Sequence, residues 1–371
     1  MSRRMSTTTP AAPVAAALPF RVAIAAMIQQ GQHDIQQARD GVSPWSSLAL
    51  GEFNNLGMRG MVLKRALLGL GQTGQVLTGV AAALTGRLAT GAKPAAAAAA
   101  WRAFVLDYFY WRGAQQVCDP YQWRCLTDGP RILMYHAVGH AGEAASRYVI
   151  PAHVFESHMA WLRRKRYDVI SLDLLLDCRR ESKLPPPRAV VITFDDGYRD
   201  NAQLALPILQ RYGFSATIFL VSQYLGQTNG WDVGGLLKDR PLMSVDQALE
   251  VRAGGIALGA HSRSHRPLTS LSESVLADEV RGCKTDLETL LKAPVPAFAY
   301  PHGRINAEAQ VAVMRAGFLG ACGSEPGVND PGSCQWALRR LEVRGTVNLT
   351  GFALMLTGGK NRVWSRLLRS E

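Results

Sequence analysis

Ala189-Val190-Val191-Ile192-Thr193-Phe194-Asp195-Asp196-Gly197 is the stretch on which the reading of this chain turns. A short apolar run that ends in a polar turn reads as a strand buried on both faces, the kind found in parallel sheets. Ligands of such sheets gather at the carboxyl ends of the strands, where the two aspartates stand. Side chains alternate along a strand, so Asp195 and Asp196 point in different directions, and one can bind a metal while the other meets substrate. Gly197 permits a sharp exit. Taken alone, the same residues also fit an ordinary Asp-Gly turn.

Working outward, further short apolar runs stand at 131–135, 168–172, 216–221, 256–259, 297–300, 320–322 and 338–343. Helical stripes lie between them: Phe155, Met159 and Leu162 within 154–166, and Leu276, Val280, Cys283, Leu287 and Leu291 within 273–291, with Ser272 as N-cap. Alternating strands and helices predict an α/β fold, a distorted (β/α) barrel of about seven parallel strands, preceded by a mostly helical N-terminal region.

Two more polar clusters follow strands. His261-Ser262-Arg263-Ser264-His265 comes after the 256–259 run. Histidines four apart fall on one face of a helical turn and can deliver two imidazoles to one metal ion, although surface pairs also arise by chance. Tyr300-Pro301-His302-Gly303 follows the 297–300 run. A Pro/Gly turn there can wall a groove and aim a backbone N–H at a developing oxyanion.

In this order and spacing, with about 65 residues from the first cluster to the second and about 35 more to the third, the motifs resemble those of the polysaccharide deacetylases, carbohydrate esterase family 4. The resemblance runs from about residue 130 to 343. It implies that Asp196, His261 and His265 coordinate a divalent metal, most commonly zinc with cobalt or nickel as alternatives, and that Asp195 is the general base. It implies hydrolysis of N-acetyl groups on N-acetylhexosamine units of a polysaccharide or cell-envelope glycan, with the Tyr300 amide helping at the oxyanion. The residues agree chemically, because an Asp/His/His set leaves coordination positions open for an activated water. A weakened glycan-binding or scaffold protein on the same fold, and an O-deacetylase or other amide hydrolase, are the competing functions.

Amide hydrolysis needs an acid for the departing amine. Relatives commonly place it in a late Leu-x-x-His-Asp motif, but no histidine follows His302 here. Leu133 and His136 have that spacing in the first strand, an arrangement similar to a circularly permuted branch that includes the poly-N-acetylglucosamine deacetylases. His136 is therefore the expected acid, with His302 second. Two departures stand out: Ala137 follows His136 where an acidic partner is usual, and Ala299 occupies the position of an arginine that holds the catalytic aspartate. Either a lower activity is expected, or Arg199 or Arg263 substitutes from a neighbouring loop.

The chain has 371 residues, a net charge of +12 and 47% hydrophobic residues, enough apolar material to exclude a disordered polyelectrolyte. Residues 1–125 hold 12 Lys plus Arg against 5 Asp plus Glu, a net of +7 that leaves +5 for the rest. The expected domains are a basic helical region over 1–125 with an Ala/Pro-rich joint near 90–100, a deacetylase-like domain over 126–345, and a basic tail or helix over 346–371. A membrane surface or a glycan-assembly partner is expected for 1–125, and no nucleic acid, for which there is no motif. The charge-free stretch from Ala66 to Leu84 is rich in Gly and Gln and reads as interfacial rather than spanning. Aromatics between Trp101 and Trp111 fit either a bilayer interface or helix packing. Arg3 and Arg4 before an apolar run resemble a leader, but Arg21 interrupts it and no cleavage site follows, which favours the cytoplasm or the cytoplasmic face of the inner membrane. Six scattered cysteines form no disulfide or zinc pattern.

Overall fold

The computed structural model describes residues 19–48, 53–54, 58–85, 92–232, 235 and 237–357. The leader-like stretch, the first part of the expected joint and the end of the C-terminal tail lie outside them. The described residues divide into two compact units, one of those up to Thr127 with Asp330–Gly332, the other of Asp128–Asn329 and those from Ser333 to Thr357.

Helices α1 (Phe20–Arg39), α2 (Met58–Gly69), α3 (Gln72–Thr85), α4 (Ala92–Val117) and α5 (Pro120–Asp128) build the first unit. Helices α1 and α4 touch backbone to backbone, because a Cβ on Gly31 would stand 2.1 Å from the Tyr110 carbonyl and one on Gly113 2.1 Å from the Ile28 carbonyl. The Tyr110 hydroxyl donates to Asp34 at 2.8 Å inside this contact. Tyr108, Phe109, Tyr110 and Trp111 are all buried, and Trp111 meets Phe53 edge-on at 5.1 Å. These four rings are core, which excludes them as bilayer anchors. The charge-free stretch is two helices rather than one, broken at Leu70-Gly71, where Gly71 has φ +59°.

The second unit opens with β1 (Arg131–Tyr135) and a small parallel pair that the sequence reading lacked, β2 (Ala137–Gly139) and β3 (Val149–Pro151). Next come α6 (Ala152–Arg164), β4 (Asp168–Val169), α7 (Leu172–Arg180), β5 (Ala189–Phe194), α8 (Leu206–Tyr212), β6 (Thr217–Leu220), α9 (Val245–Ala253) and β7 (Ala257–Ala260). The expected 273–291 helix follows as α10 (Glu273–Ala277), a π-helical segment Asp278–Gly282 and α11 (Cys283–Leu291). Ser272 holds the N-cap position without a capping bond from its side chain. The unit ends with β8 (Ala297–Ala299), α12 (Ala307–Arg315), β9 (Gly320–Cys322), β10 (Arg340–Glu342) and α13 (Leu349–Thr357).

The large sheet runs β10-β1-β5-β6-β7-β8-β9, every pair parallel, with β4 beside β5. Cys322 of β9 bridges to Leu338 just before β10, which brings the circuit round to its start. This is the expected distorted (β/α) barrel. Alternation sorts its residues into two layers. Leu133, Tyr135, Val190, Ile192, Phe194 and Leu341 pack outward under the helices, while Ile132, Ala189, Val191, Phe219, Ala299 and Leu338 fill the interior. Of the segment expected as a tail or helix, α13 packs in the outer layer through Phe352, Met355 and Leu356.

Candidate active site

Inward alternation along β5 carries Val191 and Thr193 into the barrel and brings Asp195 after them. There Asp195, 4% exposed, is gripped by Arg340 of β10, whose Nη1 and Nη2 donate to its two carboxylate oxygens at 2.6 and 2.7 Å. Arg340 is itself 1% exposed; its Nε donates to the Gly323 carbonyl at 2.7 Å and its Nη1 to Thr193 Oγ1 at 3.3 Å. Burial opposes the Asp195 charge, but the guanidinium outweighs it and holds the carboxyl below its ordinary value. The expected substitutes do not act here. Arg263 is committed to Asp278 and Asp286, and the buried Nε of Arg199 has no hydrogen-bond partner. Ala299 leaves an interior position small, and Arg340 enters the same interior from another strand.

Asp196 turns the other way because its φ of +73° and that of Gly197, +76°, carry the chain sharply off the strand. A Cβ on Gly197 would meet Leu220 Cδ2 at 2.7 Å, so the turn is also close-packed. Asp196 Oδ1 lies 3.4 Å from His261 Nε2 and 3.2 Å from His265 Nε2. The three side chains are buried, and their nearest ligand atoms all lie within 4.8 Å of one another. His261 Nδ1 bonds to the Ala299 carbonyl at 2.8 Å, which leaves Nε2 facing Asp196. One oxygen and two imidazole nitrogens converging in this way fit a divalent metal ion. Burial alone would raise the Asp196 carboxyl, yet His265 and His261 pull it well below the usual carboxylate range. Burial also dominates at His265 and lowers it, whereas at His261 the Asp196 bond and the Asp195 charge outweigh burial and raise it.

The His261–His265 turn is stiffened by a residue that sequence reading missed. Glu279, in the π-helical segment, accepts from the Arg263 and Ser264 amides at 3.0 Å each and from the Ser264 hydroxyl. Ser262 Oγ accepts from the His265 amide at 3.0 Å. Positive φ at Ser262, His265 and His302, of 64°, 59° and 57°, gathers strained backbone around the site, as at many functional centres.

The third motif needs one correction. The Tyr300 amide donates to the Cys322 carbonyl at 3.1 Å in the β8–β9 ladder, so it cannot serve an oxyanion. The Tyr300 hydroxyl donates to the Trp336 carbonyl at 3.0 Å, and Tyr300 and Pro301 are buried away from the pocket. The pocket, of about 260 Å³, instead receives His302 and Gly303, together with His136, Asp195, Asp196, His261 and His265. Gly303 has φ +62°, and a Cβ there would collide with Ser324 Oγ at 1.8 Å.

His136 follows on the inward face of β1 and lines the pocket with both aspartates. Asn201 Nδ2 fixes its carbonyl at 2.9 Å, and its ring meets Tyr148 edge-on at 4.9 Å. The His302 ring lies 4.6 Å from that of His265; burial, helped by His265, lowers its pKa. Tyr148 and Trp231 supply aromatic pocket wall, Trp231 stacking on His265 at 4.5 Å. Neither carried a sequence signal, because each sits in an irregular loop.

Comparison with known proteins follows this geometry. A family model described as polysaccharide deacetylase matches residues 182–320. The chain carries a polysaccharide deacetylase domain over residues 182–320. It is accordingly a hydrolase of amide C–N bonds, and the Asp196, His261 and His265 group suits the metal on which the family's chemistry depends. YxkH of Bacillus subtilis (strain 168), named as a polysaccharide deacetylase, is 28% identical over 229 residues, 62% of this chain and 76% of YxkH. A poly-beta-1,6-N-acetyl-D-glucosamine N-deacetylase of Staphylococcus epidermidis is 24% identical over 176 residues, 46% of this chain and 59% of that one. Among solved structures, IcaB from Ammonifex degensii aligns with TM-score 0.54 and 21% identity over 63% of this deacetylase and 97% of IcaB. The Streptococcus pyogenes deacetylase PplD aligns with TM-score 0.53 and 21% identity over 62% and 98%. Both share the barrel fold.

Proposed function

We propose that this deacetylase removes acetyl groups from N-acetylhexosamine units of a cell-envelope glycan, using zinc, with cobalt or nickel as replacements. The observation that carries the reading is the pairing of two differently used aspartates: Asp195 locked to Arg340, and Asp196 turned to His261 and His265. The staphylococcal relatives' name, poly-beta-1,6-N-acetyl-D-glucosamine N-deacetylase, supports an N-acetylglucosamine polymer. The rings of Tyr148 and Trp231 support a sugar-binding wall.

When bound by Asp196, His261 and His265, the metal supplies Lewis acidity and eases ionisation of a water. The protein's own residues carry the proton traffic. Asp195 accepts a proton from the attacking water as its oxygen adds to the acetamide carbonyl carbon. Within the turn, Tyr300 and Gly303 spend their amides on Cys322 and Tyr300 carbonyls and Pro301 has none, so the oxyanion role falls to the His302 N–H. His136 donates a proton to the departing nitrogen, the C–N bond breaks, and acetate and a free amine leave.

The test is acetate release from N-acetylglucosamine oligomers by metal-loaded protein, with Asp196→Ala as control. Release that Asp196→Ala abolishes together with bound metal is expected. Verified metal with no release from any N-acetylated glycan overturns the proposal, and preferential release from O-acetylated substrates replaces it with the O-deacetylase reading. For residues 1–125, a membrane surface fits better than a soluble glycan-assembly partner.

A further inference from the structure

None of the pocket-lining residues comes from the described part of the first unit, whose surface has a character of its own. Sixteen large hydrophobic residues are exposed among the described residues, and six of them, Val62, Leu63, Leu70, Val76, Leu77 and Val80, fall within one helical pair and its turn, each 43% to 63% exposed. They are regularly spaced. With Ala66 and Gly69, positions 62, 63, 66, 69 and 70 make one helical stripe along α2 into the turn, and Thr73, Val76, Leu77 and Val80 make another along α3. The opposite positions, Met61, Lys64, Leu68 and Thr78, are buried, so each helix presents its apolar stripe to solvent. Singly exposed hydrophobics are normal, but a cluster of this kind marks an interaction surface.

The charge pattern says what kind. From Phe53 to Leu106 there is no Asp or Glu, against six Lys or Arg. Three of the six are engaged within the unit: Lys64 with Asp107 at 2.8 Å, Arg65 with Asn54 and Thr127, and Arg102 over the Phe20 ring at 4.8 Å. Arg59 stands in the first turn of α2 and Arg87 two residues past α3, so basic positions flank the pair on both sides in sequence, while α3 itself carries no charge. A soluble protein partner or a second copy of the chain gives no reason for acidic residues to be missing over so long a run. An anionic, apolar-cored surface does. No described helix is long and apolar enough to cross a membrane, which leaves a helix pair that lies in the interface.

We propose that α2 and α3 form a docking element for a bilayer containing anionic phospholipid, with the two stripes against the acyl boundary. Gly74 lets the pair act as one element: a Cβ there would stand 1.9 Å from the Leu67 carbonyl, so the helices are in backbone contact.

The test uses the full chain and extruded vesicles of phosphatidylcholine with or without about a third phosphatidylglycerol, read by co-sedimentation at low and high salt. Expected is pelleting with the anionic vesicles, weakened by salt and poor with phosphatidylcholine alone. The triple variant Val76→Asp, Leu77→Asp, Val80→Asp is expected to lose about tenfold or more in partitioning, with its thermal melt and its acetate release from soluble oligomers unchanged. The double variant Arg59→Gln, Arg87→Gln, which leaves the stripes intact, is expected to lose the preference for anionic vesicles. A wild-type chain that stays in the supernatant overturns the proposal, as does either folded variant binding as wild type does. A concentration-dependent dimer that the triple variant converts to monomer, with no vesicle effect, assigns the face to a second copy instead. Activity on soluble oligomers is read separately, so failure here leaves the deacetylase reading standing, and the reverse.

Discussion

Arg340 is where chemistry and folding meet in one side chain. A guanidinium and a carboxylate buried together tolerate each other's loss poorly, because the survivor is left charged in a low-dielectric interior. Arg340→Gln is therefore expected to lower kcat about 10- to 100-fold at unchanged metal content and nearly unchanged KM, and to cost about 3 to 5 kcal/mol of stability. Arg340→Lys keeps the charge but not the paired bonds, and should recover part of the stability and little of kcat. Metal-loaded Arg340→Gln with wild-type kcat would show that Asp195 needs no such clamp. The contrast with the other site residues explains what could be read in advance. Asp195, Asp196, His261 and His265 announce themselves because strand, turn and ligand are adjacent in sequence. Arg340 lies 145 residues from its partner, and only the β10-β1-β5 strand order brings the two together. Its one local signal is alternation: Arg340 and Glu342 share a face while Leu341 and Val343 pack outward. The Tyr300 amide misled for the complementary reason, since a motif shows that a turn exists but not which of its N–H groups the neighbouring strand has already taken.

Among the elements, the strands were legible and their irregular companions were not. Apolar runs bounded by turns located every strand of the large sheet, whereas β2 and β3 are too short to show a period, and π-helical segments have no sequence period of their own. Yet Asn201–Ala205 and Asp278–Gly282, the two such segments among the described residues, supply Asn201 to His136 and Glu279 to the His261–His265 turn. The packing of α13 on α6 has a different consequence. His158 of α6 is fully buried, stacked on Phe352 at 3.9 Å, with Tyr135 the titratable group facing it at 3.3 Å. Burial pushes its pKa down to about 4. A histidine lowered on folding binds fewer protons in the folded state, so its stabilising share is whole above the unfolded value near 6.5 and is lost as pH falls from there toward 4. That share is about 3 kcal/mol. Chemical denaturation at pH 7 and pH 5 should show the loss in wild type and a flatter response in His158→Phe. Equal pH slopes in the two proteins would remove His158 as the cause.

At the scale of the whole molecule, composition and chemistry separate along the chain. The net +7 of the first 125 residues belongs with a region whose described helices line none of the pocket. Every residue assigned to metal, proton transfer or pocket wall lies between Met134 and Glu342 in the barrel unit. The barrel's strand circuit also starts and closes within that unit, from β1 at Arg131 to the Cys322 and Leu338 bridge, so none of the described strand pairings is lost if residues 1–127 are removed. A chain beginning at Asp128 should therefore fold, bind its metal through Asp196, His261 and His265, and release acetate from soluble oligomers with kcat/KM within a few-fold of the full chain. It should no longer pellet with anionic vesicles. On substrate presented at a vesicle surface the full chain should outpace it, because docking raises the local concentration of enzyme near substrate without altering the site. Circular dichroism, metal content and the two activity assays decide the matter together. A folded, metal-loaded truncation that releases no acetate from soluble oligomers would show that the helical unit completes the catalytic site. An equal rate for both chains on vesicle-borne substrate would show that docking contributes nothing to turnover.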